Sequence, residues 1–263
     1  MKLIACWILS LWLVAVLLGT LFSLDPNAID LNAVLSPPNQ QHWFGADELG
    51  RDILARVLGA VKISVLVAYV VTLLSMLTGV LVGLLAGFFG GKLDKLLMQI
   101  TDIFMAFPGI LLAIAFAAVL GPGVDNLILA LSLTGWVSYA RLVRGQTLSL
   151  KQRQHVQAAA ALGANVPRLL FKHILPLMTS ILVIEAAYNL ASVMIAEASL
   201  SFLGLGIQAP HASWGAMLRD AVRFMLVAPH YVLIVGLCLM SLILAINLGG
   251  DYLRDRWGRV LIT

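Results

Sequence analysis

Residues 63–89 read ISVLVAYVVTLLSMLTGVLVGLLAGFF, a run that contains no Asp, Glu, Lys or Arg. A helix needs about 20 apolar residues to cross the hydrocarbon core of a bilayer, where backbone amides must be paired within the segment. The apolar residues of the run do not alternate with polar ones, as they would in a barrel strand. The run therefore predicts a membrane-spanning α-helix.

Similar apolar runs recur along the chain of 263 residues. Hydrophobic residues make up 61% of it and charged residues only 11%, against about 25% charged in soluble domains. We therefore predict an all-α, polytopic membrane protein with a single transmembrane domain over 1–263. The six predicted spans are 3–22, 63–89, 96–120, 127–148, 177–203 and 231–248.

The positions of the basic residues predict how the chain is oriented. Cytoplasmic loops of membrane proteins carry an excess of Lys and Arg. With the N-terminus inside, five of the 17 basic residues lie outside, and these are Arg51, Arg56, Lys62, Arg219 and Arg223. Both termini are therefore expected in the cytoplasm. Segments 24–62 and 204–230 then lie outside, with an amphipathic stretch near 214–226 on the membrane interface, and 149–176 lies inside.

The inner segment 149–176 has the pattern of two short helices. Its first half is rich in helix-forming residues, and Gly163 stands where a left-handed C-terminal cap is favoured. Asn165 is suited to cap the next helix, and Pro167 fits the first turn of that helix. Pro176 is expected to end it and begin the fifth span. We interpret the segment as a docking element for another protein, with simple packing on its own bundle as the alternative.

This segment resembles the EAA loop of bacterial ABC importer permeases, in which Glu-Ala-Ala, three residues and Gly precede Ile-Leu-Pro. The matching residues are Gln157, Ala158, Ala159, Gly163, Ile174, Leu175 and Pro176. In that family the loop forms the coupling helix, which docks on the nucleotide-binding subunit. Gln157 departs from the family pattern, because a neutral amide forms a hydrogen bond but no charge-assisted pair.

Other stretches are similar to the second permease subunit of dipeptide, oligopeptide and nickel importers. They are 42–52, Phe107-Pro108 after Asp102, 136–144, 197–206 and 247–255, and they span about 25–259 in order. The resemblance implies the type I ABC importer permease fold, in the bacterial inner membrane. It implies import of small peptides, nickel or metal chelates.

The resemblance also implies partners. These are a second homologous permease subunit, two ATP-binding subunits that carry ATP and Mg²⁺, and a periplasmic or lipid-anchored substrate-binding protein. The alternative function is a secondary transporter driven by an ion gradient. Internal repeats and paired half-helices typical of such transporters are not visible in the sequence.

Acidic residues in or near the predicted spans are the candidates for a translocation pathway. A charge inside a membrane is costly, and it usually faces a partner, a cavity or a pathway. Glu185 and Asn189 are four residues apart and therefore share one helix face. Together with Asp102 and Glu197 they form the predicted pathway set. Hydrogen bonds that hold the helices together are the alternative role.

Four glycines, Gly79, Gly83, Gly87 and Gly91, recur at every fourth position of the second predicted span. A stripe of small residues lets two membrane helices approach closely. We therefore predict that this face packs against another helix. A bend is predicted in the third span, because Pro108 lacks a backbone N–H.

On the outer side, Asp47, Glu48, Arg51 and Asp52 form a mixed-charge turn that is the candidate contact for a binding protein. An ordinary solvated turn is the alternative. His and Cys residues do not show ligand spacing, so we predict no metal site. Neither a phosphate-binding loop nor a catalytic constellation is present in the sequence, so we expect no bound cofactor and no enzyme activity in this chain. The net charge of +4 is attributed to membrane topology rather than to nucleic-acid binding.

Overall fold

The computed structural model describes residues 2–22 and 24–258. Its α-helices are α1 (Lys2–Leu21), α2 (Ile53–Phe89), α3 (Gly91–Met105), α4 (Gly109–Leu120), α5 (Val124–Leu150), α6 (Gln154–Ala161), α7 (Val166–Arg168), α8 (Thr179–Phe202), α9 (Trp214–Arg223) and α10 (Pro229–Gly258). Within these residues an isolated bridge between Ala46 and Asp52 is the only β pairing. The all-α prediction is confirmed. Arg259, a basic residue in the topology argument, lies outside the described residues.

Among the residues that the structure describes, four helical segments are long and apolar enough to cross a membrane. They are α2, α5, Val166–Phe202 and Pro229–Trp257. Helices α3 and α4 together qualify as a fifth, broken span. The apolar stretch of α1 described as Ala5–Leu21 is shorter, and Trp12 Nε1 ties it to Ser241 Oγ of α10 at 3.0 Å. The polytopic architecture is confirmed, and the sixth span stays a prediction.

Helix α2 begins at Ile53, ten residues before the predicted span. Asp52 caps it, because its side chain accepts a hydrogen bond from Ala55 N at 2.8 Å. Residues 53–62 of the predicted outer segment are therefore helical and continuous with the span. The start of α2 at Ile53 could not be predicted from hydropathy, because the charged Arg56 lowers the apolar character of the first turns. In the structure the side chain of Arg56 is nevertheless buried.

The third predicted span is not one straight helix. Residues 106–108 separate α3 from α4, and the two helices are bent by 85°. The predicted bend at Pro108 is confirmed, and the continuous span 96–120 is wrong, because Pro108 begins a new helix instead of kinking one. Asp94 and Asp102 of α3 form ion pairs with Arg144 and Arg141 of α5.

Helices α2 and α5 approach closely along the predicted glycine stripe. A Cβ atom built on Gly79, Gly83 or Gly87 would lie 2.4, 2.6 or 2.7 Å from the nearest atom of α5. Real Cβ contacts are not that short, so any side chain there would push the helices apart. Gly91 lies outside this contact, as the first residue of α3, where φ is +61°.

Helix α9 packs one face against the protein core, and its position on the membrane interface stays a prediction. Trp214 and Met217 are fully buried in the main apolar core with residues of α2, α8 and α10. Gly215 permits this packing, because a Cβ there would lie 2.0 Å from Ala198 O of α8. The apolar face of α9 is therefore covered, at Trp214 and Met217, by other helices of the protein.

Candidate functional site

The predicted coupling segment folds as a helical hairpin at the ends of α2 and α5. The buried side chain of α6 is Val156, and the rest of that helix is largely exposed. Val156 joins a second apolar core with Leu84 of α2, Val143 of α5 and Ile174. The hairpin is thus fixed to two spanning helices by its apolar side, while its opposite side faces outward.

Gly163 reverses the chain after α6. Its φ is +86°, in the left-handed region that favours glycine. The N–H groups of Leu162, Gly163 and Ala164 donate to carbonyls of α6 at 3.0–3.1 Å, so the last turn of the helix is satisfied. Asn165 then caps α7 by accepting a hydrogen bond from Arg168 N at 3.1 Å. The predicted cap at Gly163 and the predicted cap at Asn165 are both confirmed.

Helical winding continues from α7 into α8. Leu169–Ile174 is a π-helix and Leu175–Met178 is a 3₁₀ helix. Pro176 was expected to end the helix and begin a new one; instead it lies in the first turn of the 3₁₀ helix, where the change of winding accommodates its missing N–H. Val166–Phe202 is therefore one helical rod of 37 residues.

The seven residues of the EAA-like pattern divide into two groups. Gln157, Ala158, Gly163 and Pro176 are exposed, Ala159 and Leu175 are half-buried, and Ile174 is fully buried. Ile174 therefore anchors the hairpin in the second core, and the exposed group is available to a partner. A residue that the sequence reasoning missed, Leu162, is 89% exposed at the end of α6. Leu162 could have been found from the sequence, because it is a large apolar residue that immediately precedes the capping Gly163 in an otherwise polar loop.

A direct link also joins the hairpin to α2. Lys151, at the end of α5, donates from Nζ to the backbone carbonyl of Gly87 at 2.8 Å. A cation beside the last carbonyls of a helix is favourable, because those carbonyls carry partial negative charge. The segment is thereby held at three places: by α5, by α2 and by the rod that contains α8.

Two of the predicted pathway residues pair with hydroxyl groups of α2. The Glu197 carboxylate accepts hydrogen bonds from Ser64 Oγ and Ser201 Oγ, both at 2.9 Å, and is fully buried. Asn189 Oδ1 accepts one from Thr72 Oγ1 at 3.2 Å. These contacts are the helix-to-helix bonds that the sequence left open as the alternative role. The two hydroxyl partners on α2 could not be recognised from sequence, because they are more than 100 residues away from Glu197 and Asn189.

The other two pathway candidates lie in different surroundings. Asp102 is on α3 and forms an ion pair with Arg141, with both side chains substantially exposed. Glu185 is half-buried in α8, and its side chain makes no hydrogen bond or ion pair with the residues that the structure describes. The structure therefore does not gather the four predicted residues into one site. Glu185, Asn189 and Glu197 follow α8, and Asp102 lies apart.

The outer turn is built around a buried carboxylate. Asp47 accepts from Leu49 N and Arg51 N at 2.9 Å and from Arg51 Nε at 2.7 Å. Arg56 Nε lies 3.3 Å from the same carboxylate. Asp47 therefore shapes the turn and does not present its charge at the surface. Burial raises the pKa of the neighbouring Glu48 carboxyl, although Glu48 also pairs with Arg51 at 2.8 Å.

Asp52, the last residue of the predicted outer contact, has two roles within the chain. One carboxylate oxygen caps α2, and the other lies 2.9 Å from His42 Nδ1. Over 2–22 and 24–258 the structure contains no group of three His, Cys, Asp or Glu side chains arranged to hold a metal ion. Contact of this turn with a binding protein stays a prediction.

The bundle of spanning helices and the exposed hairpin between two of them define the class, a multi-pass membrane permease subunit. A family model described as "Binding-protein-dependent transport system inner membrane component" matches residues 79–259. The chain therefore belongs to this family, whose members are permease subunits of ABC importers in the inner membrane. The alternative of a secondary transporter is excluded by this membership.

Curated relatives agree with the family. The glutathione transport system permease protein GsiD of Salmonella typhimurium is 45% identical over 250 residues, which cover 95% of this chain and 82% of the relative. GsiD of Escherichia coli O157:H7 is 45% identical over 229 residues, covering 87% of this chain and 76% of the relative. The resemblance inferred from motifs is thereby confirmed over nearly the whole chain.

Proposed function

We propose that this chain works with a second homologous permease subunit, two ATP-binding subunits and a substrate-binding protein to import a small peptide. The observation that carries the proposal is the exposed end of the hairpin, formed by Gln157, Ala158, Leu162 and Gly163. We call these four residues the coupling tip. The side chains of the tip are small and partly apolar. The rest of the hairpin packs against α2 and α5 and continues into α8, and we call this fixed part of the hairpin the framework.

The mechanism follows from the continuity of this framework. When the ATP-binding subunits bind ATP and Mg²⁺ and close, they move the coupling tips of the two permease subunits. Because Val166–Phe202 is one rod, a displacement at Val166 reaches Asn189 and Glu197 without passing through a flexible joint. This chain supplies the lever and the pathway, and the partner subunits supply nucleotide binding and hydrolysis.

The orientation that fits this mechanism places the coupling tip and both termini in the cytoplasm. Support comes from the twelve basic residues that this orientation leaves inside, Lys151 and Arg168 of the hairpin among them. The turn at Asp47 to Asp52 then faces the outer side. Its charges are largely paired within the chain, so a contact with a substrate-binding protein there involves only the exposed edges of Glu48 and Arg51. A thiol reagent that does not cross membranes should label Ala160→Cys only in inverted vesicles.

The substrate class is taken from the relatives and the motifs together. The GsiD proteins are named for glutathione transport, and glutathione is a tripeptide. We therefore propose small peptides of this size as the substrate. The motif resemblance also includes importers of nickel and metal chelates, so uptake of nickel is measured as the alternative in the test below.

The coupling role is tested by co-purification with the ATP-binding subunits. Gly163→Pro should abolish both their association and ATP-dependent uptake, because proline cannot adopt φ +86° and lacks the N–H that donates to Ala160 O. Gly163→Asn is the matched control, since asparagine tolerates left-handed φ, and it should keep most of the activity. Equal association of both variants with the ATP-binding subunits would contradict the proposal.

The substrate is tested by uptake into cells that lack the endogenous peptide and nickel importers. Radiolabelled glutathione, a labelled dipeptide and ⁶³Ni²⁺ should be compared with and without the complete complex. Peptide uptake that depends on the complex supports the proposal. Uptake of nickel alone would assign the complex to metal import instead.

A further inference from the structure

Two ion pairs join α3 to α5, and they differ in geometry. Arg144 binds Asp94 at two points, with Nε 2.5 Å from Oδ1 and Nη2 2.7 Å from Oδ2. Arg141 contacts Asp102 through Nη2, and its other guanidinium N–H groups make no hydrogen bond with the residues that the structure describes. The side chain of Asp94 is 16% exposed, whereas that of Asp102 is 60% exposed. The first pair therefore holds the two helices together, and Arg141 keeps donors free for a further partner.

Arg141 also lines a cavity of about 330 Å³ at the break between α3 and α4. Phe104 and Phe107 line this cavity from α3 and the break, and Ser138 lines it from α5. Ser138 lies three residues before Arg141, on the same helix face, and its hydroxyl makes no hydrogen bond within the described part of the chain. Binding pockets for small molecules have volumes of about 300–1,000 Å³ and a mostly apolar lining with a few polar groups. The cavity has the size and the lining of such a pocket.

The position of Arg141 along α5 places the cavity within the membrane. Helix α5 has 27 residues and is therefore about 40 Å long, against about 30 Å of hydrocarbon in a bilayer. Arg141 precedes the end of the helix at Leu150 by about 14 Å, so it lies inside the inner edge of the hydrocarbon core. An exposed ion pair at this depth is costly in contact with lipid tails. This face of α3 and α5 therefore borders a water-filled pathway or another subunit.

We propose that this cavity is a subsite of the translocation pathway, in which Arg141 and Ser138 bind a carboxylate of the transported peptide. A guanidinium presents a planar set of N–H donors that matches the two oxygens of a carboxylate. Ser138 adds a hydroxyl donor, and Phe104 and Phe107 offer apolar surface to the side chains of the peptide. The inference rests on the proposed import function and assigns a specificity-determining residue within it. The competing partner is an acidic side chain of the second permease subunit.

The test compares a dipeptide with its C-terminal amide in proteoliposomes that contain the complete transporter. Each compound is supplied above the concentration that saturates the binding protein, and the ratio of the two uptake rates, acid to amide, is measured for each variant. The same binding protein serves every variant, so its own preference cancels when the ratios are compared. Arg141→Gln should lower the ratio about ten-fold, as loss of a contact worth about 1.4 kcal/mol would, by slowing the free acid alone.

Three further variants separate this role from a structural one. Arg141→Lys keeps the charge without the planar set of donors and should keep part of the ratio. Asp102→Asn removes the carboxylate that competes for Arg141, so the ratio should stay the same or rise. Arg256→Gln removes an exposed guanidinium from the last turn of α10 and should leave the ratio unchanged.

Three outcomes would overturn the inference. If Asp102→Asn lowers the ratio as much as Arg141→Gln does, Arg141 only holds α3 in place through Asp102. If Arg141→Gln slows the acid and the amide equally, the guanidinium does not recognise the carboxylate. If Arg141→Gln prevents assembly with the second permease subunit, the guanidinium binds that subunit.

Access to the cavity gives a second measurement that does not depend on uptake rates. In a background with Cys6→Ser and Cys238→Ser, Ser138→Cys should react with a water-soluble thiol reagent in at least one nucleotide state. The free dipeptide should slow this reaction more than its amide does. Absence of any reaction, or equal protection by acid and amide, would also overturn the inference. If the unaltered complex shows no ATP-dependent uptake of any peptide, the proposed function fails instead, and the two failures are thus distinguishable.

Discussion

The outer turn around Asp47 and the coupling tip both reverse the chain at glycines with positive φ, but their surroundings differ. A Cβ on Gly50 would lie 1.7 Å from Asp30 O, and one on Gly45 would lie 2.6 Å from Ser36 O. No atom lies within 4 Å of the corresponding position at Gly163, among the residues that the structure describes. The outer turn is enclosed by its own chain, whereas the coupling tip is open.

The charges of the two regions show the same contrast. Asp47 is fully buried and has its partners, Arg51 and Arg56, within the chain. The coupling tip carries neutral and apolar side chains, of which Leu162 is almost completely exposed. A region whose polar and steric requirements are met internally serves the fold, and a region that leaves apolar surface exposed is suited to contact a partner.

The largest expected effect comes from adding one methyl group to the glycines of the two regions. Gly50→Ala should destabilise the protein by about 5 kcal/mol, because left-handed strain is added to an overlap with backbone that cannot move aside. Gly163→Ala should destabilise the protein by only about 1 kcal/mol, because it adds left-handed strain without a steric overlap. The measurement is the midpoint of thermal unfolding of the purified protein in detergent, together with the yield of folded protein.

A small and equal loss for the two alanine variants would contradict the distinction between an enclosed and an open turn. Gly90→Ala extends the series, because φ there is +66° and no described atom lies within 4 Å of its Cβ position. Its cost should lie between those of Gly163→Ala and Gly50→Ala, because ψ at Gly90 is −157°, a conformation that essentially only glycine adopts, but no backbone atom is overlapped.

The second expected effect concerns two leucines of the hairpin. Leu162→Asp should lower co-purification of the ATP-binding subunits about ten-fold, as loss of a contact worth about 1.4 kcal/mol would, without changing thermal stability. Leu170→Asp is the matched control: its side chain is 5% exposed in the second core, so it should lower stability itself. Normal co-purification of Leu162→Asp would remove this residue from the docking surface.

The difference between the two regions also explains what could be predicted from sequence. The apolar runs and the turn chemistry at Gly163 and Asn165 are local signals, and the structure follows them. The EAA-like pattern identified the coupling loop correctly. It did not separate the exposed Gln157 from the buried Ile174, because a motif gives the residue types and not which side chains face outward.

Features that depend on distant contacts could not be predicted. The early start of α2 required knowing that Arg56 is buried next to Asp47, and the packing of α9 required knowing which helices cover Trp214. The hydroxyl partners of Asn189 and Glu197 required the register between two helices. Such facts come from the packing of segments far apart in sequence, on which hydropathy and propensity carry no information.

The smallest expected effect tests whether the hairpin is held by its own caps or by its partner. Asn165→Ala removes the side-chain oxygen that accepts from Arg168 N, so the start of α7 should lose about 1 kcal/mol. Hydrogen exchange at residues 166–170 should therefore become several-fold faster in the isolated chain, and global unfolding should change little, because Ile174 and Leu170 still anchor the rod. In the assembled transporter the difference should shrink if the ATP-binding subunits hold the tip in place. If Asn165→Ala speeds hydrogen exchange equally in the isolated chain and in the assembled transporter, the ATP-binding subunits do not support the coupling tip. The openness of the tip, compared with the enclosed outer turn, would then not reflect a docking role.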